Sequence, residues 1–294
     1  VGEFRLPGEA LPTHVLGSSE VWAALLPHMG AHALIRNLPT MTRVGLIAQT
    51  SDGKREVLRR LTDHEALRKA RVHPVQALIA AVTYAAGKSV RGDATWTPVQ
   101  QVVDVLDAAF YGTFGAVTPT GKRLYLALDV SGSMSYNHVA GLPGMSAAKA
   151  CAALALVTAN VEADYLIRGF SHRMVDVGLS PRMRLDQAVA TMMGVPMGGT
   201  DCAQPMLDAA ARGEQVDTFV ILTDGETWAG RTHPFQALRA YREKTGIAAR
   251  VVSVATTATG FSIADPNDPG MLDVAGFDAA APETRIGHAR IGFS

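Results

Sequence analysis

Three short motifs bring together five oxygen-bearing side chains of one chemical type. The apolar run Leu124-Tyr-Leu-Ala-Leu-Asp129 leads into Val130-Ser-Gly-Ser-Met134, which gives Asp129-x-Ser131-x-Ser133. Gly198-Gly-Thr200-Asp201 presents a hydroxyl on a flexible loop just before a helix, and a second apolar run, Phe219-Val-Ile-Leu-Thr-Asp224, ends in another carboxylate. Two carboxylates and three hydroxyls are hard donors, suited to Mg²⁺ or Mn²⁺ and not to zinc with its softer ligands. Neutral hydroxyls leave such an ion with residual positive charge, so one position stays available for water, a carboxylate or a phosphate. Gly132 is expected to allow the tight turn that aims both serines and the aspartate at one point. The simpler alternative is that Ser131 or Ser133 only caps the helix that follows.

A parallel sheet would place these groups correctly. Short apolar runs at Arg123–Asp129, Ala163–Phe170, Thr218–Thr223 and Arg250–Ala255 alternate with helical patterns at Met145–Asn160, Leu185–Met193, Ala203–Arg212 and Phe235–Lys244. Near-continuous apolar strands alternating with helices mean an α/β fold, a mostly parallel sheet with helices on both faces. Ligands of such sheets bind beyond the carboxyl ends of the strands, where Asp129 and Asp224 stand. Met174–Leu179 is expected to be an antiparallel edge strand.

The first part of the chain reads differently. After an irregular lead-in, residues from Ser19 to Phe114 are helical in pattern. Ser19 is expected to cap a helix through Val21, Trp22, Leu25 and Leu26. Leu34, Leu38, Val44 and Leu46 fall in short pieces punctuated by Pro39 and Gly45. His73-Pro74 opens a helix with Val75, Leu78, Ile79, Val82 and Ala86 on one face, and Thr97-Pro98 opens another with Val102, Val103, Leu106, Ala109 and Phe110. Helical pairs with short joints read as the remnant of a repeat array, which buries its faces only against further repeats. Thr118-Pro-Thr-Gly121 is the linker, so the expected domains are residues 1–118 and 119–294.

Across the 294 residues the formal net charge is zero, but its distribution is uneven. Residues 36–91 hold eleven Lys and Arg against four Asp and Glu. Arg36, Arg43, Lys54, Arg55, Arg59, Arg60, Lys69, Arg71, Lys88 and Arg91 are candidate phosphate contacts. A solvated helix face is the ordinary alternative. The only cysteines, Cys151 and Cys202, fit a reducing, cytoplasmic setting and read as small buried hydrophobes. No stretch is long and apolar enough to span a membrane. Gly87-Lys-Ser89 lacks the first glycine and the preceding strand of a P-loop. Arg91-Gly-Asp93 is too short to carry meaning, Asp265 and Asp268 lack calcium-loop spacing, and no histidine is placed to activate Ser131 or Ser133.

The chain resembles the Ro autoantigen family, in a bacterial or phage-type form. The similar stretches are Ala33-Leu-Ile-Arg-Asn-Leu38, Lys69-Ala-Arg-Val-His-Pro74, Leu106-Asp-Ala-Ala-Phe-Tyr111, Pro119-Thr-Gly-Lys-Arg123, Asp129-Val-Ser-Gly-Ser-Met134, Gly198-Gly-Thr-Asp-Cys202, Thr223-Asp-Gly-Glu-Thr227, Phe261-Ser-Ile-Ala-Asp-Pro266 and Gly270-Met-Leu-Asp-Val-Ala-Gly-Phe-Asp278. The resemblance implies a TROVE helical-repeat ring closed by a Rossmann-like von Willebrand factor A domain. Asp129, Ser131, Ser133, Thr200 and Asp224 match that domain's metal-ion-dependent adhesion site one by one. Family members bind small non-coding Y RNAs on a basic outer surface and take the 3′ ends of misfolded RNAs into the ring. Most of the ring is expected to precede Val1, which is not a methionine. Three functions follow, in descending order. The first is RNA binding within a ribonucleoprotein that holds Mg²⁺. The second is a Mg²⁺-dependent module that takes a carboxylate from a protein partner, such as an exoribonuclease. The third is metal-assisted phosphodiester hydrolysis, which the absence of a second metal cluster and a general base argues against.

Overall fold

The computed structural model describes residues 13–290 apart from 91, 140, 143, 196–197, 226–228, 257–262, 278–284 and 287–288. The chain divides into two units between Val117 and Thr118.

In the first unit, polar caps and prolines begin helices whose apolar stripes face each other. Its helices are α1 (Ser19–Leu25), α2 (Ala31–Arg43), α3 (Asp52–Thr62), α4 (His64–Lys69), α5 (Pro74–Ala85) and α6 (Gln100–Gly112). Ser51 caps α3 by accepting from the Lys54 amide at 3.1 Å, and His73 caps α5 by accepting from the Val75 amide at 3.2 Å. Pro74 occupies the first turn of α5, where a missing N–H costs nothing. Helices α2 and α5 run parallel, because His32 meets Gln76 and, further along, Thr42 meets Tyr84. Helix α5 also packs on α6, and α6 on α3. Leu38, Met41, Val57, Leu61, Leu106 and Ala109 are wholly buried between these layers.

Three local expectations change. Helix α2 runs through Pro39 without a break. Proline there forfeits one amide donor, and the buried row Leu34, Ile35, Leu38 and Met41 holds the helix together across the gap. Ser18, not Ser19, occupies the capping position of α1, without a side-chain bond. Helix α6 starts at Gln100 rather than at Thr97-Pro98, since the Tyr84 hydroxyl accepts from the Val99 amide at 3.3 Å and Val99 stays extended.

The second unit is a six-stranded sheet in the order β3-β2-β1-β4-β5-β6. Its strands are β1 (Leu124–Asp129), β2 (Tyr165–Phe170), β3 (Met174–Val175), β4 (Thr218–Thr223), β5 (Arg250–Ala255) and β6 (Met271–Ala275). All neighbours are parallel except β2 and β3. The helices are α7 (Ser133–Tyr136), α8 (Ala147–Val161), α9 (Leu185–Met193), α10 (Gln204–Arg212) and α11 (Pro234–Thr245). Tyr125, Ala127, Phe219, Ile221 and Val251 pack with Met206, Ala209, Leu238 and Tyr241 of α10 and α11. The alternate strand residues face the other way, and α8, buried through most of its length, packs on β1, β2 and β4. The chain is therefore an α/β unit, a mostly parallel sheet with helices packed on it, preceded by a helical unit.

Strand β3 is shorter than Met174–Leu179, because Asp176 accepts from the Gly178 amide at 2.8 Å and turns the chain. Strand β6 escapes a reading based on apolar runs. It is an edge strand with Asp273 and exposed alternate positions, so it carries no continuous apolar signal. Ser146 sets the start of α8 by accepting from the Lys149 amide at 3.1 Å. Ser146→Ala should cost about 1 kcal/mol, read as a lower denaturant midpoint at unchanged slope.

Candidate functional site

Strand β1 is central, and the chain leaves it for β2 on one side and for β4 on the other. A sheet whose order reverses in this way opens a crevice at the carboxyl ends of the two diverging strands. Asp129 ends β1 and Asp224 follows β4, so the crevice is lined by the two acids found in the sequence.

Asp129 is fully buried, and its carboxylate organises the site. Oδ1 accepts from the Ser131 amide at 2.8 Å, while Oδ2 accepts from the Thr223 hydroxyl at 2.8 Å and the Thr200 hydroxyl at 3.4 Å. The hydroxyls of Ser131 and Ser133 meet at 3.0 Å, rather than capping the amides of α7. Ser131, Thr200 and Asp224 are buried, and Ser133 is exposed at the mouth. Asn137 donates to Asp224 Oδ2 at 2.9 Å. Gly132 has φ −61°, open to any residue, so a left-handed turn is not the reason for glycine there. Gly198 is different: a Cβ on it would run into the His172 ring, so a larger residue would require that exposed ring to move.

Electrostatics set what the site can hold. Burial pushes the Asp129 carboxyl up to about 6, and the charge of Asp224 adds to the rise. Hydrogen bonds from Ser131 and Thr223 pull it back. Two acids in one dry crevice, ringed by hydroxyls, form a site whose charge a divalent cation would balance. Among the described residues no three His, Cys, Asp or Glu side chains come together, so any ion here depends on the hydroxyls. The residues fit Mg²⁺ or Mn²⁺: Asp129, Ser131, Ser133, Thr200 and Asp224 would hold it. Cys151 lies within electrostatic reach of both acids, is wholly buried, and has its thiol pushed up by burial and by their charges, so it offers no nucleophile. Cys202 is buried as well.

Sequence reasoning missed Thr223, Asn137 and Asp201. Asp201 is 5% exposed and accepts from the Ala203 amide at 3.0 Å and from Gln204 Nε2 at 2.8 Å. It therefore shapes the loop that carries Thr200. Thr223 is adjacent to Asp224, and only the register of β4 turns its hydroxyl onto Asp129.

The sequence pattern of the Ro60 vWA domain matches residues 123–285, more than half of the chain, and that of the TROVE domain matches residues 8–83. The chain belongs to the Ro60 family. It is 48% identical, over 98% of its length, to "RNA-binding protein RO60" of Deinococcus radiodurans, of which it covers 54%. To the protein of the same name from Caenorhabditis elegans it is 41% identical over 96% of its length and 44% of that protein. The crystal structure of the Deinococcus radiodurans RO (RSR) protein superposes with TM-score 0.89 at 49% identity, covering 95% of this chain and 56% of that one. The Ro60-family chain thus spans about half the length of the curated relatives it matches.

The basic residues of the Ro60-family helical unit separate into two groups. Lys54 is a correction: it is 8% exposed, and its ammonium donates to the Gln49 carbonyl and to Gln101 Oε1 at 2.9 Å, so it braces α3 from within. Arg60 is also structural, since its guanidinium donates to the carbonyls of Leu26 and Met29. Arg55 is paired with Asp52, Arg59 forks onto Glu56 at 2.7 and 2.8 Å, and Lys69 meets Glu65 at 2.8 Å, all within their own helices. Arg36, Arg43, Arg71 and Lys88 are exposed. Arg91 lies outside the described residues. Among the described residues no helix is long and apolar enough to cross a membrane.

Proposed function

We propose that this chain is an RNA-binding component of a Ro-type ribonucleoprotein, contacting RNA phosphates through the exposed cations of α2 and the α4–α5 region. The observation that carries the reading is identity to proteins named as RNA-binding along almost the whole chain, helical unit included. Arg36, Arg43, Arg71 and Lys88 are the residues proposed to meet phosphate, with the exposed Arg55, Arg59 and Lys69, each paired within its own helix, beside them. The proposed ligands are small non-coding, Y-like RNAs and the 3′ ends of misfolded RNAs, in the cytoplasm. The relatives are named as RNA-binding proteins and not as enzymes.

Mg²⁺ held by Asp129, Ser131, Ser133, Thr200 and Asp224 would supply a positive centre for an anionic oxygen. The exposed Ser133 at the mouth of an otherwise buried donor set favours a second role there, in which a protein partner such as an exoribonuclease offers a carboxylate to the ion.

Phosphate contacts release counterions, so affinity for a structured RNA should fall steeply with salt, with a slope of about −0.9 per phosphate neutralised. Anisotropy titrations between roughly 50 and 200 mM salt measure this slope. Binding that ignores salt, or is absent throughout, would end the RNA reading. EDTA should leave this slope unchanged if the helical face makes the contact, and should abolish capture of a protein partner at the metal centre.

A further inference from the structure

Arg71 has the only positive φ of any non-glycine among the described residues, at 55°. It ends α4: its own amide donates to the Arg68 carbonyl at 2.8 Å, and the Val72 amide returns to the Leu67 carbonyl at 2.9 Å. This hydrogen-bond pattern places Arg71 in the left-handed position after a helix, where a Cβ is crowded and glycine is preferred. The chain itself uses glycine at the left-handed ends of α10 and α11, Gly213 with φ 69° and Gly246 with φ 71°. Folding alone gives no reason for arginine at this position. Its side chain is exposed and makes no hydrogen bond or ion pair among the described residues. Strain kept at a surface position by the surrounding structure points to a use for the side chain.

The surroundings narrow the choice. His32 of α2 reaches across to this turn, with Nε2 2.9 Å from the Ala70 carbonyl and Nδ1 2.9 Å from Gln76 Oε1. The brace fixes the residue that immediately precedes Arg71 and the first turn of α5 against α2. Arg36 follows His32 by one helical turn, on the same exposed face. The His32–Ala70 contact therefore has an arginine one step away on each element it joins. Guanidinium groups bind phosphate oxygens in a planar fork, and two of them on neighbouring elements suit a phosphodiester.

We propose that Arg71 and Arg36, set by the His32 brace, form a phosphate subsite for the RNA backbone. The inference rests on the RNA reading above and assigns the contact within it. Its signature is a pair of effects with opposite signs. Arg71→Gly relieves the left-handed backbone, so the full chain should melt at or above the wild-type temperature. The same change should weaken binding of a fluorescein-labelled oligouridylate by about two- to fivefold, the range of one exposed ion pair. It should also make the salt slope shallower by about 0.7, the value for one phosphate of a single strand. Arg36→Gln should reproduce the affinity loss and the change in slope without the stability gain. Arg239→Gln on α11, in the other unit, should change neither.

A wild-type slope retained by Arg71→Gly and Arg36→Gln would overturn the subsite and leave the RNA reading in place. A melting temperature for Arg71→Gly clearly below wild type would show that the arginine serves the fold, and would also overturn it. Wild-type protein that binds no RNA would remove the RNA reading and the subsite together. Polyglutamate competing as well as RNA would reduce the site to general anion attraction and defeat the phosphate assignment.

Discussion

In Asp129→Asn protein, added Mg²⁺ should leave the melting temperature where EDTA leaves it, whereas the wild-type chain should gain about 5–10 °C. The magnitude follows from linkage. At an ion concentration of roughly 100 times the dissociation constant, a ligand that binds only the folded state adds about 2.7 kcal/mol. A domain of this size shifts by roughly 2–4 °C per kcal/mol. Asparagine keeps an oxygen for the Ser131 amide, which donates to Oδ1 at 2.8 Å. The Thr223 and Thr200 hydroxyls can reverse to meet the new amide, since a hydroxyl both donates and accepts. The fold is thus left intact while one of the two acids that attract the ion is removed. The metal-free variant should be at least as stable as metal-free wild type, because the carboxylate it replaces is fully buried beside Asp224. Calorimetric scans in Mg²⁺ and in EDTA give both comparisons. A Mg²⁺ shift that survives in Asp129→Asn, or that is missing in wild type, removes the metal centre. Loss of stability in EDTA would show that Asp129 acts chiefly through its hydrogen bonds.

How far the sequence reaches is clearest where local chemistry and tertiary placement part. Asp129 and Asp224 were legible because an apolar run fixes a buried strand, and the residue at its carboxyl end then has only one place to go. Thr223 was not, because which face of β4 it joins is set by register against β1 and β5 and not by its neighbours in sequence. Asn137 reaches Asp224 across 87 positions, a pairing only the closed sheet creates. The same limit governs charge. Lys54 and Arg71 are equivalent in a count of basic residues. Packing of α3 beside α6 turns the first into an internal brace to Gln101, while a helix end exposes the second. Pro39 shows the reverse, a strong local signal overridden by burial of the residues around it. Strand β6 was invisible because an edge strand need not be apolar on both faces.

His73 makes the helical unit sensitive to acid, and the sign follows from which atoms are satisfied. Its Nδ1 accepts the Val75 amide at 3.2 Å, which requires that nitrogen to be unprotonated. Its Nε2 is buried without a hydrogen-bond partner among the described residues. An imidazolium would set an N–H against the Val75 N–H and bury a charge with nothing to receive it. Burial accordingly lowers the His73 pKa from 6.5 to about 4. A histidine depressed in the folded state contributes its full stability above the unfolded value, and loses it as pH falls from about 6.5 towards 4. At about 1.4 kcal/mol per unit, the loss approaches 3 kcal/mol at pH 4 and levels off about a unit below that. His73→Asn should flatten the dependence, because asparagine caps the same helix start and does not titrate. Urea unfolding of both proteins at pH 7.5, 6, 5 and about 4 separates this residue from the carboxylates, which both proteins share. The difference between wild type and variant should favour wild type, or be near zero, at neutral pH and swing towards the variant by about 3 kcal/mol at the acid end. Parallel curves would show that His73 accommodates its proton in the fold, and that Nε2 finds an acceptor when charged.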